Sequence, residues 1–228
     1  GTSALYMALD LLDLAPGDEI ITSVLTFSAD IAPMVRAGVV PVFVDVDATG
    51  YQIDVTRIEE MIGPRTKAIL TPNLIGNCPD WDVIREIADR HGLKVVEDTC
   101  DVLGDTFLRG TRTGTRADIG VTSFAVTHSI TAAGGGGLIA FDDPEMHDRC
   151  LVKRRWGRRS ERYFFGSKRG QSDRFSATVD GLAYDNIFVF EDPLVWNFEP
   201  TELAAAFGRV QLQKLNEFNR RRRENFAR

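Results

Sequence analysis

The sequence predicts an α/β fold with a largely parallel sheet held between helices, and two observations carry that expectation. Helix-length and strand-length segments alternate through the first 150 residues. The strand candidates are short apolar runs, and one of them, Val39 to Val44, is nearly continuous, the kind buried on both faces of such a sheet.

The elements follow in order. Ser3 to Leu14 has apolar residues at helical spacing, and Ala15-Pro16-Gly17-Asp18 stops it. Glu19 to Thr22 is a short strand. Ser28 to Ala37 reads as a helix ended by Gly38, before the Val39 strand. Asp54 to Ile62 is expected to be a helix with Asp54 as its N-cap. Lys67 to Thr71 is a strand. Trp81 to His91 is a helix that follows Asp80 and ends at Gly92. Leu93 to Glu97, Ile119 to Phe124 and Gly137 to Phe141 are further strands. Pro144 to Trp156 looks helical, and Gly157 to Val195 is irregular and rich in Arg, Ser, Gly and aromatics. Thr201 to Phe218 is an amphipathic helix with Leu203, Phe207, Val210 and Leu215 on one side.

A net charge of -6 argues against a general nucleic-acid binder. The sequence has no apolar run of about 18 residues, so no membrane span is expected. Cys78, Cys100 and Cys150 fit neither metal nor disulfide spacing. No metal site is therefore expected, and a reducing cytoplasm is. The chain lacks an initiator methionine and stops inside a charged run, so it is expected to be part of a longer protein.

Four polar clusters sit beside strand or helix ends, where open α/β sheets bind ligands. Gly1-Thr2-Ser3 opens a helix, where backbone N–H groups and hydroxyls can hold a phosphate; the same turn also reads as a plain N-cap. Thr26-Phe27-Ser28-Ala29-Asp30 offers Phe27 as a platform for a flat ring, or as a core side chain. Glu97-Asp98-Thr99-Cys100-Asp101 places three carboxylates at a buried strand end, which is costly unless they are paired. One can serve a cationic ring nitrogen; metal ligation and a helix cap are the other readings. Ser123 to Thr131 runs from a strand into Gly134-Gly135-Gly136-Gly137, with His128 between them. A histidine there is either structural or aimed into a site.

These clusters occur in the order and spacing of the DegT/DnrJ-type sugar aminotransferase family, and the chain resembles that family over nearly its whole length. The resemblance implies pyridoxal 5′-phosphate (PLP) fold type I, a three-layer α/β/α architecture, and PLP or its amine form, pyridoxamine 5′-phosphate (PMP), as cofactor. It implies a large cofactor domain over residues 1–195, truncated at its N-terminus. Residues 196–228 would form a linker helix leading into a C-terminal small domain. By the same resemblance Thr2, Ser3 and Ser123 bind the phosphate, and Phe27 stacks on the pyridine ring. Asp98 pairs with the ring nitrogen, keeping the ring an electron sink. Asn197, in Trp196-Asn197-Phe198-Glu199-Pro200, would reach the phosphate of a neighbouring subunit in a homodimer.

Two departures point to one branch. Family aminotransferases carry the Schiff-base lysine five residues after the serine of the Ser-Phe pair; counted from Ser123, that position is His128. No lysine lies between Lys94 and Lys153, and imidazole cannot form the link that an amine forms. Asp101 replaces a usual glutamine among the cofactor contacts. Both features resemble the histidine-containing 3-dehydratase branch. That likeness implies a nucleotide-linked 4-keto-6-deoxy sugar as substrate, glutamate as amino donor, and His128 as catalytic base in forming 3,6-dideoxy sugars for surface polysaccharide. The alternatives are a sugar-nucleotide aminotransferase and a silent PLP-fold binding subunit. Gly134, where relatives have Glu, favours the silent subunit; Phe27, Asp98 and Ser123 oppose it. The basic stretch Lys153 to Arg174 is read equally as a diphosphate contact or a solvated surface.

One type within the branch binds an iron–sulfur cluster through cysteines after a Trp-Gly-Arg segment. Here Trp156-Gly157-Arg158 is followed by no cysteine, so four thiolate ligands are lacking. Iron and sulfide analysis of anaerobically purified protein is expected to find neither in stoichiometric amount; finding both would overturn the placement in the cluster-free type.

Overall fold

The computed structural model describes residues 1–104, 107–108 and 111–228. The chain forms two compact units. One comprises Gly1–Ala140 with Thr201–Arg228, and the other Phe141–Pro200. The second segment of the first unit is a returning helix.

The first unit is built on a six-stranded sheet. Its strands are β1 (Glu19–Ser23), β2 (Val40–Val44), β3 (Thr66–Pro72), β4 (Lys94–Asp98), β7 (Ile119–Ser123) and β8 (Gly137–Ala140), ordered β2-β1-β3-β4-β7-β8. All neighbours are parallel except the antiparallel pair β7 and β8. A two-residue hairpin, β5 (Phe107–Leu108) and β6 (Thr111–Arg112), lies between β4 and β7. Side chains alternate across each strand. Ile21, Ile69 and Val95 face a core completed by Trp81, Ile84, Ile87 and Ala88 of α3 (Trp81–His91). The intervening residues Ile20, Leu70 and Val96 are equally buried on the other face, the side of α1 (Thr2–Leu11) and α2 (Ser28–Arg36). The expected mostly parallel, three-layer arrangement is therefore found.

Local chemistry sets the element ends. The Asp80 side chain accepts from Val83 N–H to start α3, and Gly92 ends it at φ 65°, a left-handed conformation that glycine adopts freely. Three expectations need correction. The Val39 strand is β2, and it lies at the sheet edge with Val40 and Phe43 exposed. An edge strand has no outer neighbour, and the flanking layers bury Val44 and partly cover Val42 while leaving Val40 and Phe43 in solvent. Asp54 to Ile62 is not an α-helix but two 3₁₀ turns, Val55–Arg57 and Glu59–Met61. Asp54 does cap the first, accepting from Thr56 N–H, and the backbone bonds that follow are of the 3₁₀ kind, Arg57 N–H to Asp54 O, Met61 N–H to Ile58 O and Ile62 N–H to Glu59 O, before Gly63-Pro64 closes the segment. The last helix, α6 (Glu202–Phe226), runs well past Phe218. Arg220 and Arg221 pair with Glu217, and Arg220 also with Glu224, which supports the extra turns. Of its apolar stripe only Leu215 is buried.

The second unit contains α4 (Pro144–Arg154), α5 (Glu161–Phe164) and the hairpin of β9 (Ala177–Val179) and β10 (Leu182–Tyr184). Several of its basic residues are matched by carboxylates. Buried Glu161 faces Arg154 at 3.6 Å and Arg155 at 3.2 Å, Glu191 faces Arg159 and Arg162, and Asp192 faces Lys153 at 2.6 Å.

A buried polar chain links β3, β4 and α3. Trp81 Nε1 donates to Asn73 Oδ1 at 2.7 Å, and Asn73 Nδ2 donates to Glu97 Oε1 at 2.8 Å. Burial pushes the Glu97 carboxyl above its usual range, so this donor is needed. Replacing Asn73 by Leu strands both partners and is expected to cost about 3 kcal/mol in urea unfolding. A loss under about 1 kcal/mol would show that water takes over both bonds.

Candidate functional site

The C-terminal ends of β1, β3, β4 and β7 open on one side of the sheet, and the polar clusters gather there. Gly1 begins α1, and its first intrahelical bond is Leu5 N–H to Gly1 O at 2.9 Å. The N–H groups of Thr2, Ser3 and Ala4 thus have no intrahelical acceptor, and the Thr2 and Ser3 side chains are exposed. Beside them lies Ser123, the last residue of β7. A Cβ on Gly1 would lie 3.1 Å from Ser123 Cβ and 2.8 Å from Cys100 Sγ, so only glycine allows this close approach. Free helix N–H groups, two hydroxyls on α1 and the Ser123 hydroxyl form a cradle with the right donors for a phosphate.

Asp98 ends β4 and is 5% exposed. Its Oδ1 accepts from Cys100 N–H at 2.8 Å, and the Cys100 thiol also donates to it. Burial, and then the Asp98 charge, pushes that thiol up. Among the described residues no lysine, arginine or histidine forms an ion pair with Asp98. A buried carboxylate without a cation suits a protonated ring nitrogen. Phe27, the residue before α2, is 68% exposed; the core alternative for it is excluded.

Asp101 and His128 meet. His128 Nδ1 lies 3.5 Å from Asp101 Oδ1 and makes no hydrogen bond among the described residues, while Asp101 Oδ2 accepts from Ile75 N–H at 2.9 Å. Ile75 holds φ at 51°, which is unfavourable for a β-branched residue and aims that N–H at Asp101. His128 stands in a turn closed by His128 N–H to Ala125 O at 3.2 Å. Its side chain is 21% exposed, leaving the ring reachable.

Helix α6 fastens both loops. Asn219 Nδ2 donates to Leu103 O at 2.9 Å, and Arg222 Nη2 donates to Ser129 O at 2.9 Å. Gly104, at φ 100°, allows the contact, since a Cβ there would lie 2.6 Å from Asn219 Nδ2. Sequence reasoning missed these two residues, because the long-range contact they make leaves no local pattern. It also missed Asp30, which lies beside Asp98, although the cluster containing it was singled out for Phe27. Asn197 belongs to the second unit. There it is exposed and bridges Arg155 through the backbone, while the rings of its sequence neighbours Trp196 and Phe198 stack on each other with centroids 4.7 Å apart.

The model of the DegT/DnrJ/EryC1/StrS aminotransferase family matches residues 1–228. The lipopolysaccharide biosynthesis protein RfbH of Salmonella typhimurium is 35% identical over all of this chain and 53% of that protein. The dTDP-4-dehydro-2,6-dideoxy-D-glucose 3-dehydratase of Saccharopolyspora spinosa is 37% identical over all of this chain and 51% of that protein. The chain thus spans about half the length of these relatives. Among solved structures, the E. coli GDP-4-keto-6-deoxy-D-mannose-3-dehydratase with bound hydrated PLP has a TM-score of 0.83 and is 30% identical, covering 99% of this chain and 57% of that one. The residues gathered at the strand ends fit PLP or PMP, the cofactor of such proteins, and the chain belongs to the DegT/DnrJ/EryC1/StrS aminotransferase family.

Proposed function

We propose that this chain is the cofactor domain of a PMP-dependent 3-dehydratase acting on a nucleotide-linked 4-keto-6-deoxy sugar. The carrying observation is an imidazole, His128, paired with a carboxylate at the position where family aminotransferases have lysine. Relatives named as 3-dehydratases in both comparisons support the reading. GDP-perosamine synthase of E. coli O157:H7, 33% identical over 98% of this chain, keeps an aminotransferase as the second reading. That reading needs an amine where His128 stands, and the nearest lysines in sequence are Lys94 and Lys153. A silent binding subunit is the third; the retained carboxylate, platform and cradle weigh against it.

Bound PMP supplies an amine that condenses with the C4 ketone and a ring that accepts electrons. The protein's own residues do the rest. Thr2, Ser3, Ser123 and the first-turn N–H groups of α1 hold the phosphate. Phe27 covers the ring, and Asp98 keeps its nitrogen protonated. Asp101 lies on the Nδ1 side of His128, where its negative charge favours the imidazolium that forms when Nε2 takes a proton. His128 removes a proton from the cofactor's methylene carbon and delivers one to the departing C3 hydroxyl, which leaves as water. Because His128 is no amine nucleophile, the protein does not recapture the cofactor covalently. Water would release the sugar's nitrogen as ammonia and leave the cofactor at the aldehyde level, and glutamate would be the amino donor that supplies the amine form again. The product is a 4-keto-3,6-dideoxy sugar for surface polysaccharide or a related glycoside. Asn197 serves the phosphate of a partner subunit in a homodimer.

Three measurements test this reading on the full-length protein. His128→Asn is expected to keep PMP binding and to lose dehydration by at least ~10²-fold, the scale for removing a general base. His128→Lys is expected to turn yellow with PLP and become covalently labelled after borohydride, while dehydrating poorly because its amine is mostly protonated near neutral pH. Covalent trapping of the wild type would assign the anchor to another lysine and sink the dehydratase reading. Sedimentation with and without PMP is expected to show a dimer, whereas a monomer that binds PMP tightly would remove Asn197 from the site.

A further inference from the structure

Asp30 is a fully buried carboxyl on α2, and the proposed mechanism gives it no role. The Thr26 hydroxyl donates to its Oδ2. Its Oδ1 is buried and meets no donor among the described residues. The carboxyl lies within hydrogen-bonding reach of Asp98, and Asp101 adds a further negative charge nearby. Among the described residues no cation pairs with Asp30. Two carboxylates that touch in a site shielded from water cannot both stay ionised, so the pair holds a proton.

The hydrogen-bond pattern says where that proton sits. Asp98 receives donors from Cys100 N–H and the Cys100 thiol, which favour its anion. Asp30 receives one donor, on Oδ2, and is the more deeply buried of the two. Placing the proton on Asp30 Oδ1 satisfies the orphaned atom by making it a donor, with Asp98 as acceptor. Burial, and then the Asp98 charge, both drive the Asp30 carboxyl well above its usual range, the direction this arrangement requires.

We propose that Asp30 is a positioning residue for the cofactor: a neutral carboxylic acid that donates its Oδ1 proton to Asp98 and so holds Asp98 as the carboxylate presented to the ring nitrogen. The role toward the ring rests on the proposed function; the shared proton does not. Asp98 is then fixed from two sides. Cys100 holds it from its own loop, and Asp30 holds it from α2, the helix that begins just after Phe27. The ring platform and the ring-nitrogen partner are thereby tied to one element.

The test compares Asp30→Asn with Asp30→Leu in the full-length protein, with folding checked by circular dichroism and thermal unfolding. Asparagine keeps a neutral donor, so PMP affinity and the cofactor's absorption spectrum are expected to match the wild type. Leucine removes the donor and is expected to weaken PMP binding about tenfold, the effect of one lost hydrogen bond to a charged group, and to alter the spectrum. If asparagine fails as leucine does, Asp30 acts as an anion and the proposal falls; equal binding by all three proteins also overturns it. Infrared spectroscopy supplies a readout independent of cofactor. Burial also raises Glu97 and Glu161, so the protonated-carboxyl band is taken as the difference between wild type and Asp30→Asn at neutral pH. A difference band that shifts in heavy water is expected, and its absence overturns the shared proton. A wild type that binds no PMP refutes the proposed function, whereas one that binds PMP without the band refutes only the role of Asp30.

Discussion

The burial of two adjacent carboxyls at the end of β4 is the constraint on which the rest of the structure depends. Glu97 and Asp98 point to opposite faces of the sheet because side chains alternate along a strand. Each must find partners in its own layer, since an unpaired buried charge is too costly to keep. Glu97 finds Asn73 and, through it, Trp81 of α3. Asp98 finds Cys100 and Asp30 of α2. The first set ties Glu97 Oε1 to Asn73 and α3 and serves the fold. The second is two acids facing each other, with no Lys, Arg or His ion pair to either among the described residues, and in the proposed arrangement a shared proton and a protonated ring nitrogen satisfy it.

The reactive pair is held by a different device. Asp101 and His128 lie on loops that leave neighbouring strands, β4 and β7, so the sheet brings the loops close but does not fix them. A backbone N–H from Ile75 orients Asp101, at the cost of a left-handed β-branched residue. Helix α6, more than 70 residues further along the chain than His128, ties down the carbonyls of Leu103 and Ser129 with Asn219 and Arg222. A histidine so placed can move protons but cannot act as the amine anchor of an aminotransferase, and this difference separates elimination from amino transfer in the proposed reaction.

Much of this was legible in the sequence. Alternating segments gave the parallel sheet because crossover helices have a characteristic length and period. Asp80 and Gly92 gave the ends of α3 because caps act through neighbouring backbone groups. The position of His128 came from counting residues after Ser123. Where local pattern misled, position in the fold had the last word. The Val39 to Val44 run is apolar enough to be central but lies at the edge, and strand order is not encoded in one strand's composition. Asp54 to Ile62 has helical spacing but ends at Gly63-Pro64 before a full helix forms.

By itself, the sequence determined the fold class, the order of the clusters and the replacement of lysine by histidine, because these are properties of adjacent or evenly spaced residues. Only the tertiary structure decided that Asp101 belongs to His128, that Asp30 faces Asp98, and that Asn219 and Arg222 hold the loops. Those pairings join residues between 27 and 116 positions apart for the cases His128–Asp101 and Asn219–Leu103. They arise from packing helices on both faces of a twisted sheet, and no local spacing records which side chains that packing will bring into contact.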